Sequence, residues 1–216
     1  MEKSKNLISA YCKEDLSWIY NDNLPAIYNN IILYNKCNNE IPDKIKNIKN
    51  LRIVKQHNSG QDLLAYIDYI IKNYDNLADY NVFIAGAGRN DYFRYDFYKK
   101  VVLDAKCYTN EYCLLHKDGL DLDLSVNQYQ PRNSANSIPF IKSKYKNLRD
   151  FCDQVLGYIP QNFSDCSYRV TFGVKKESIL KHHKNFYIKL YEELDIGANN
   201  EICHFVERLF YHIFEQ

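Results

Sequence analysis

The segment from Asn58 to Asp91 constrains the fold more than any other part of the chain. A polar loop ending at Ser59-Gly60 runs into a stretch where Leu63, Leu64, Ile67, Ile70, Ile71 and Tyr74 recur at helical spacing. Such an apolar stripe has to be buried against another element. An acidic turn follows, then an apolar strand, Asn81 to Ala85, which stops at Gly86-Ala87-Gly88. Helix followed by buried strand is the repeat of an α/β sheet, and a strand ending in a glycine turn leaves its carboxyl edge open, where such sheets bind ligands. Ser59 is predicted to cap the helix, with Asp62 completing a capping pair and favouring the positive end of the helix dipole.

The same alternation extends in both directions. Leu7 to Tyr11 reads as a strand, Glu14 to Tyr20 as a helix with Leu16, Ile19 and Tyr20 on one face, and Ile31 to Tyr34 and Leu51 to Val54 as two further strands. This pattern predicts a Rossmann-like α/β fold, a mostly parallel sheet with helices on both faces. Tyr108 to Arg149 is irregular, with Pro131, Pro139 and a polar run from Asn127 to Ser137 that reads as an exposed loop. Such a loop either closes over a ligand or is an ordinary insertion. Regularity returns with a strand from Tyr168 to Val174. A helix is then predicted from Ser178 to Leu194, carrying Ile179, His183, Phe186, Tyr187, Leu190 and Leu194 on one face, and a second amphipathic helix from Ile202 to Phe214.

With 216 residues, 46% hydrophobic and 15% aromatic, the chain can bury one substantial core, so one domain is expected. Its 28 basic and 27 acidic residues sum to +1, which leaves no electrostatic footprint for nucleic acid. The seven cysteines form no CxxC pair. An odd count without such a pair predicts free thiols in a reducing compartment and no structural disulfide. No window approaches the ~20 apolar residues of a membrane span, and a soluble, cytoplasmic protein is expected.

Three constellations carry possible chemistry. Gly86-Ala87-Gly88 begins like a dinucleotide fingerprint, but Asp91 stands where its third glycine belongs, which argues against NAD or FAD. Asp121 and Asp123 have the spacing that lets two carboxylates share a divalent cation if they lie on a strand, and are solvated if they lie in a turn. The third is distributed over strand ends: Tyr11 to Trp18 after the first, Tyr34-Asn35-Lys36 after the second, Asn58 to Asp62 after the third. Successive polar loops at carboxyl edges suit a base, a ribose and a diphosphate, while Glu14, Asp15 and Asp62 equally suit helix caps. His183, on an apolar face, reads as a core residue, and neither a zinc spacing nor a serine elbow occurs.

Taken in order, E-D-L-S-W at Glu14, Y-N-K at Tyr34, N-x-G-x-D at Asn58, N-Y-D-N-L-A-D at Asn73 before V-F-I, F-G-V-x-K-E-x-I at Phe172, N-F-Y at Asn185 and E-R-L-F at Glu207 resemble a poorly characterised family of small glycosyltransferase-like proteins with a GT-A-type fold. The resemblance spans nearly the whole chain. It implies a GT-A-type nucleotide-diphospho-sugar transferase architecture over residues 1–216, with a nucleotide-binding half (1–107) and an acceptor half (108–216). It also implies a nucleotide-sugar donor and transfer of a sugar to a hydroxyl of a glycan acceptor. Tyr11, Glu14 and Asp15 would line the base pocket; Asn58, Gly60 and Asp62 would face the ribose or diphosphate; Glu207 and Arg208 would belong to the terminal helix motif.

GT-A enzymes usually carry a metal-binding DxD after the fourth strand, where this chain has Ala85-Gly86-Ala87 and its nearest acid at Asp91. Mn²⁺ or Mg²⁺, if used, would be held at Asp91. Otherwise the leaving diphosphate would be met by Arg89 or Arg208, and Lys36 is a further candidate nucleotide-sugar ligand. An inverting transfer also needs a carboxylate to accept the acceptor's proton, with Glu207 the candidate base. The alternative is a non-catalytic module that binds a nucleotide or glycan on the same scaffold.

Overall fold

The computed structural model describes residues 3–88, 98–103, 120–125, 139–161 and 170–215. Strands β1 (Lys5–Tyr11), β2 (Asn30–Asn35), β3 (Leu51–Lys55), β4 (Tyr80–Ile84) and β5 (Phe172–Lys175) form one sheet in the order β3-β2-β1-β4-β5. The first four are parallel and β5 pairs antiparallel with β4. The fold is therefore α/β and mostly parallel, as the alternating pattern predicts. The chain builds outward from β1 to β3 and then returns to place β4 on the other side of β1. That reversal is a topological switch point, and the carboxyl edge beside it is where open α/β sheets bind ligands.

Strand side chains alternate between two cores. Ile8, Ala10, Ile32, Tyr34 and Phe83 face a layer built by α4 (Gln61–Asn73) and the C-terminal helices. Leu7, Ile31, Leu33, Val82 and Ile84 face Trp18, Ile19 and Leu24, from the short helices α1 (Trp18–Asn21) and α2 (Leu24–Ile27), and Ile45, from α3 (Asp43–Lys46). Helices thus cover both faces. On α4, Leu63, Leu64, Ile67 and Ile70 are fully buried, each contributing roughly 1.5–3 kcal/mol by area.

Past β4 come a π-helical turn at Lys99–Leu103, a short helix α5 (Leu148–Phe151), and β5 with α6 (Lys176–Ile179), α7 (Lys184–Leu194) and α8 (Glu201–Glu215). Phe172 of β5 locks this half to the sheet, its ring packed at a tilt against Phe83 at 5.0 Å and Phe210 of α8 at 4.6 Å between ring centroids.

Four local expectations are corrected. The Glu14–Tyr20 helix shrinks to α1, because Glu14 and Asp15 spend their carboxylates on nearby backbone amides, an alternative to helical bonding open to short acidic side chains. Ser59 does not cap α4: Gly60 does, at φ 61°, and the Ser59 hydroxyl instead accepts from the Gly197 amide at 2.9 Å. The helix expected from Ser178 to Leu194 breaks between α6 and α7. There the Ile179 and His182 carbonyls are taken by the Tyr187 and Tyr74 hydroxyls at 2.8 and 2.6 Å. His183 consequently lies exposed at the start of α7, and it is His182 that packs inward, stacked on Phe186 with its ring nitrogen 2.7 Å from the Ile213 carbonyl.

Candidate functional site

A cleft of about 510 Å³ opens at the carboxyl edge of the sheet, within the range typical of small-molecule sites. Ala10, Tyr11, Cys12 and Glu14 line it from the end of β1, Lys36 from the end of β2, and Asn58, Gln61 and Asp62 from the β3–α4 connection. Ala198 and Asn199, from the α7–α8 connection, close the far side. The three strand-end loops singled out in the sequence therefore converge on one cavity, and a fourth loop from the distant C-terminal region joins them.

Lys36 organises the floor. It is nearly buried, at 6% exposure, and its ammonium donates to the carbonyls of Ser59 and Gln61. Those carbonyls are aimed by an unusual backbone, with Gly60 and Gln61 both left-handed at φ 61° and 47°. Left-handed backbone is costly for a side chain like that of Gln61 and persists only when its surroundings enforce it. A lysine bridging the two carbonyls supplies that enforcement. Gly60 has to lack a side chain here, since a Cβ would lie 2.7 Å from Leu64 Cβ and 3.0 Å from the Leu194 carbonyl.

Asp62 lies in the first turn of α4 and lines the cleft. Burial raises its pKa; Lys36 opposes that rise, while Glu14 and Glu207 add to it. Lys36 shows the mirror image: burial lowers its pKa, and Asp62 is the first of the charges that raise it. Cys203 of α8 shares this neighbourhood, but burial pushes its thiol up to about 12, so it stays protonated and inert.

Gly86 is where β4 meets β1. A Cβ on it would lie 2.3 Å from the Ala10 carbonyl and 3.0 Å from the Glu14 carboxyl. Its own carbonyl accepts from the buried Trp18 indole at 3.2 Å. Glu14 in turn accepts from the amides of Cys12 and Lys13 at 2.6 and 2.9 Å, fixing the loop at the cleft mouth.

Of the residues expected at a site, Tyr11, Glu14, Lys36, Asn58 and Asp62 line the cleft, and Gly60 shapes it from behind. Asp15 does not line it: its exposed carboxylate binds the Ser17 amide and hydroxyl at 2.9 and 2.6 Å. Glu207, half-buried on α8, is close enough to raise Asp62 and Cys203. Arg208 folds back on its own helix, donating to the His204 carbonyl at 2.7 Å. Arg89 and Asp91 lie outside the described residues. Asp121 and Asp123 sit in a turn, exposed, with the Asp123 amide donating to Asp121 at 3.0 Å, the solvated alternative. Among the described residues no three His, Cys, Asp or Glu side chains form a set that could hold a metal ion, and Asp91, the residue expected to hold Mn²⁺ or Mg²⁺, lies outside them.

Two features escaped sequence reasoning. Ala198 and Asn199 carry no motif and are brought in by tertiary packing alone. The other is a disulfide between Cys12 and Cys37, with Cα atoms 4.8 Å apart, which overturns the expectation of free thiols at these positions. The signal lay in the register: Tyr11 pairs with Asn35, so cysteines one and two residues further emerge side by side. Among the described residues Cys152 and Cys203 remain free and buried, and no helix is long and apolar enough to cross a membrane.

A family model described as a protein of unknown function (DUF3431) matches residues 7–216, and the chain belongs to that family. No curated protein matches it significantly.

Proposed function

We propose that this DUF3431 member is a glycosyltransferase of GT-A-type architecture, moving a sugar from a nucleotide-diphosphate donor to a hydroxyl of a glycan acceptor. The observation that carries the reading is the convergence of the β1, β2 and β3 end loops, with Lys36 and Asp62, on one cleft at the switch point of a parallel sheet. That is where open α/β sheets bind nucleotides.

In this reading the base and ribose lie against Tyr11, Glu14 and Asn58, and the diphosphate lies over Lys36. As the glycosidic bond to the leaving phosphate breaks, negative charge grows on the nucleoside diphosphate. The Lys36 ammonium, already fixed by two carbonyls, meets that charge without reorganising. The acceptor hydroxyl loses a proton as it attacks. Asp62 is the proposed proton acceptor, because it lines the cleft and burial lifts its pKa toward the working range of a general base. Glu207 stands behind it and sustains that lift.

Thermal denaturation with UDP-, GDP- and dTDP-sugars, each with and without Mn²⁺, tests the reading. A donor at 100 times its Kd adds about 2.7 kcal/mol to stability, and a transferase also releases free nucleoside diphosphate when acceptor is supplied. Stabilisation without release under any acceptor would assign a binding module instead. No stabilisation by any nucleotide sugar would remove the reading.

A further inference from the structure

The Cys12–Cys37 bond stands at the mouth of the cleft, not inside a core, and we propose that it is a redox clamp that sets the order of the cleft while leaving the sheet folded. The proposal holds whatever ligand the cleft takes.

The bond is not needed to bring its strands together. β1 and β2 are paired along their length from Asn6 with Asn30 to Tyr11 with Asn35, and the Lys36 amide extends that pairing to the Tyr11 carbonyl at 2.9 Å. Each of the two strands has a further neighbour, β4 and β3 respectively. What hangs on the bond is the wall beyond the strands. Cys12 lines the cleft, its amide donates to Glu14 at 2.6 Å, and its carbonyl accepts from the Asn39 side chain. Cys37 directly follows Lys36, the residue that holds the Ser59 and Gln61 carbonyls in place. One covalent link therefore fastens the loop carrying Glu14 to the loop carrying Lys36.

Both cysteines are half-exposed, so a small thiol can reach them, whereas Cys152 and Cys203 are buried. The chemistry is thiol–disulfide exchange with a low-molecular-weight thiol or dithiol. Its thiolate attacks one sulfur, the Cys12–Cys37 bond breaks, and a mixed disulfide forms. A second reductant thiolate then resolves it. Cys12 and Cys37 end as two thiols, having taken up two electrons and two protons, and the reductant ends as its disulfide.

Hydrogen exchange read peptide by peptide on the full chain, air-oxidised and then reduced with dithiothreitol, tests this. Reduction is expected to speed amide exchange about tenfold or more in residues 12–14 and 36–39, with β1 and β2 themselves unchanged. A Cys12→Ser, Cys37→Ser double variant is expected to exchange like the reduced protein whether or not reductant is present. That separates this bond from any thiol elsewhere in the chain. Unchanged exchange in the two loops would overturn the proposal, as would loss of protection across the whole sheet, which would make the bond a staple of the fold. Mass mapping that finds both cysteines still as thiols after oxidation would overturn it equally.

Discussion

The Glu14 carboxyl packs on Gly86, so closely that a Cβ there would lie 3.0 Å from it, and Asp62 in the first turn of α4 lies near enough to Glu14 for that charge to raise its pKa. The loop that follows β3 is thereby brought to the turn at the end of β4. Glu14, packed against the same glycine, brings in the loop after β1.

Gly86→Ala is expected to damage both fold and site. The added methyl meets the Ala10 carbonyl at 2.3 Å, and a backbone atom in a paired strand cannot swing away as a side-chain tip would. A loss of about 1–3 kcal/mol is expected, measured by urea denaturation, together with loss of ligand-induced stabilisation.

Asp62→Asn is expected to lower turnover by a factor of about 100 or more, with donor affinity changed far less, as a steady-state split of kcat from KM would report. The amide keeps the shape of the carboxyl, so a loss of turnover would follow from the missing proton acceptor.

Glu207→Gln separates two roles. The negative charge of Glu207 is one of the causes that raise Asp62, after burial and Glu14, so removing it lowers the Asp62 pKa. The acid limb of the kcat profile is then expected to move to lower pH, with the melting temperature nearly unchanged. A pH-independent loss of about 100-fold would instead make Glu207 itself the proton acceptor.

His204 offers a prediction about stability alone. Burial first, and then Arg208, depress its pKa from 6.5 to about 4, against the pull of Glu201. Below pH 6.5 the unfolded chain binds a proton there that the folded chain resists, so stability falls as pH drops from 6.5 toward about 4 and is flat for this group outside that window. A His204→Gln variant is expected to show a shallower decline in melting temperature over that interval, read as the difference between the two pH profiles.

The sheet was legible because each of its strands is an apolar run with a terminating signal: β4 ends at its glycine turn, and the stripe on α4 has only one face to bury. Lys36 and Asp62 were legible for the related reason that polar residues immediately after strands of a parallel sheet have one edge to occupy. What was hidden depends on contacts distant in sequence. Ala198 and Asn199 reach the cleft because α7 and α8 pack on α4, Gly60 displaces Ser59 as the cap because the Gly197 amide claims the Ser59 hydroxyl, and Cys12 meets Cys37 only once the register of β1 on β2 is known. Asp15 illustrates the converse: a short acidic side chain beside a cleft can be wholly occupied by its own loop.

The most direct measurement is titration calorimetry of the best-stabilising nucleotide-diphosphate sugar against the native protein and against Lys36→Met, each checked for fold by circular dichroism. Replacing the ammonium with a thioether of similar length removes the charge proposed to face the diphosphate. Binding to the native protein, weakened about tenfold or more in the folded variant, is the expected result, because hydrogen bonds to charged groups are worth about 1.5–3 kcal/mol. Equal affinity in both proteins, or no binding of any nucleotide sugar to the native one, would contradict it.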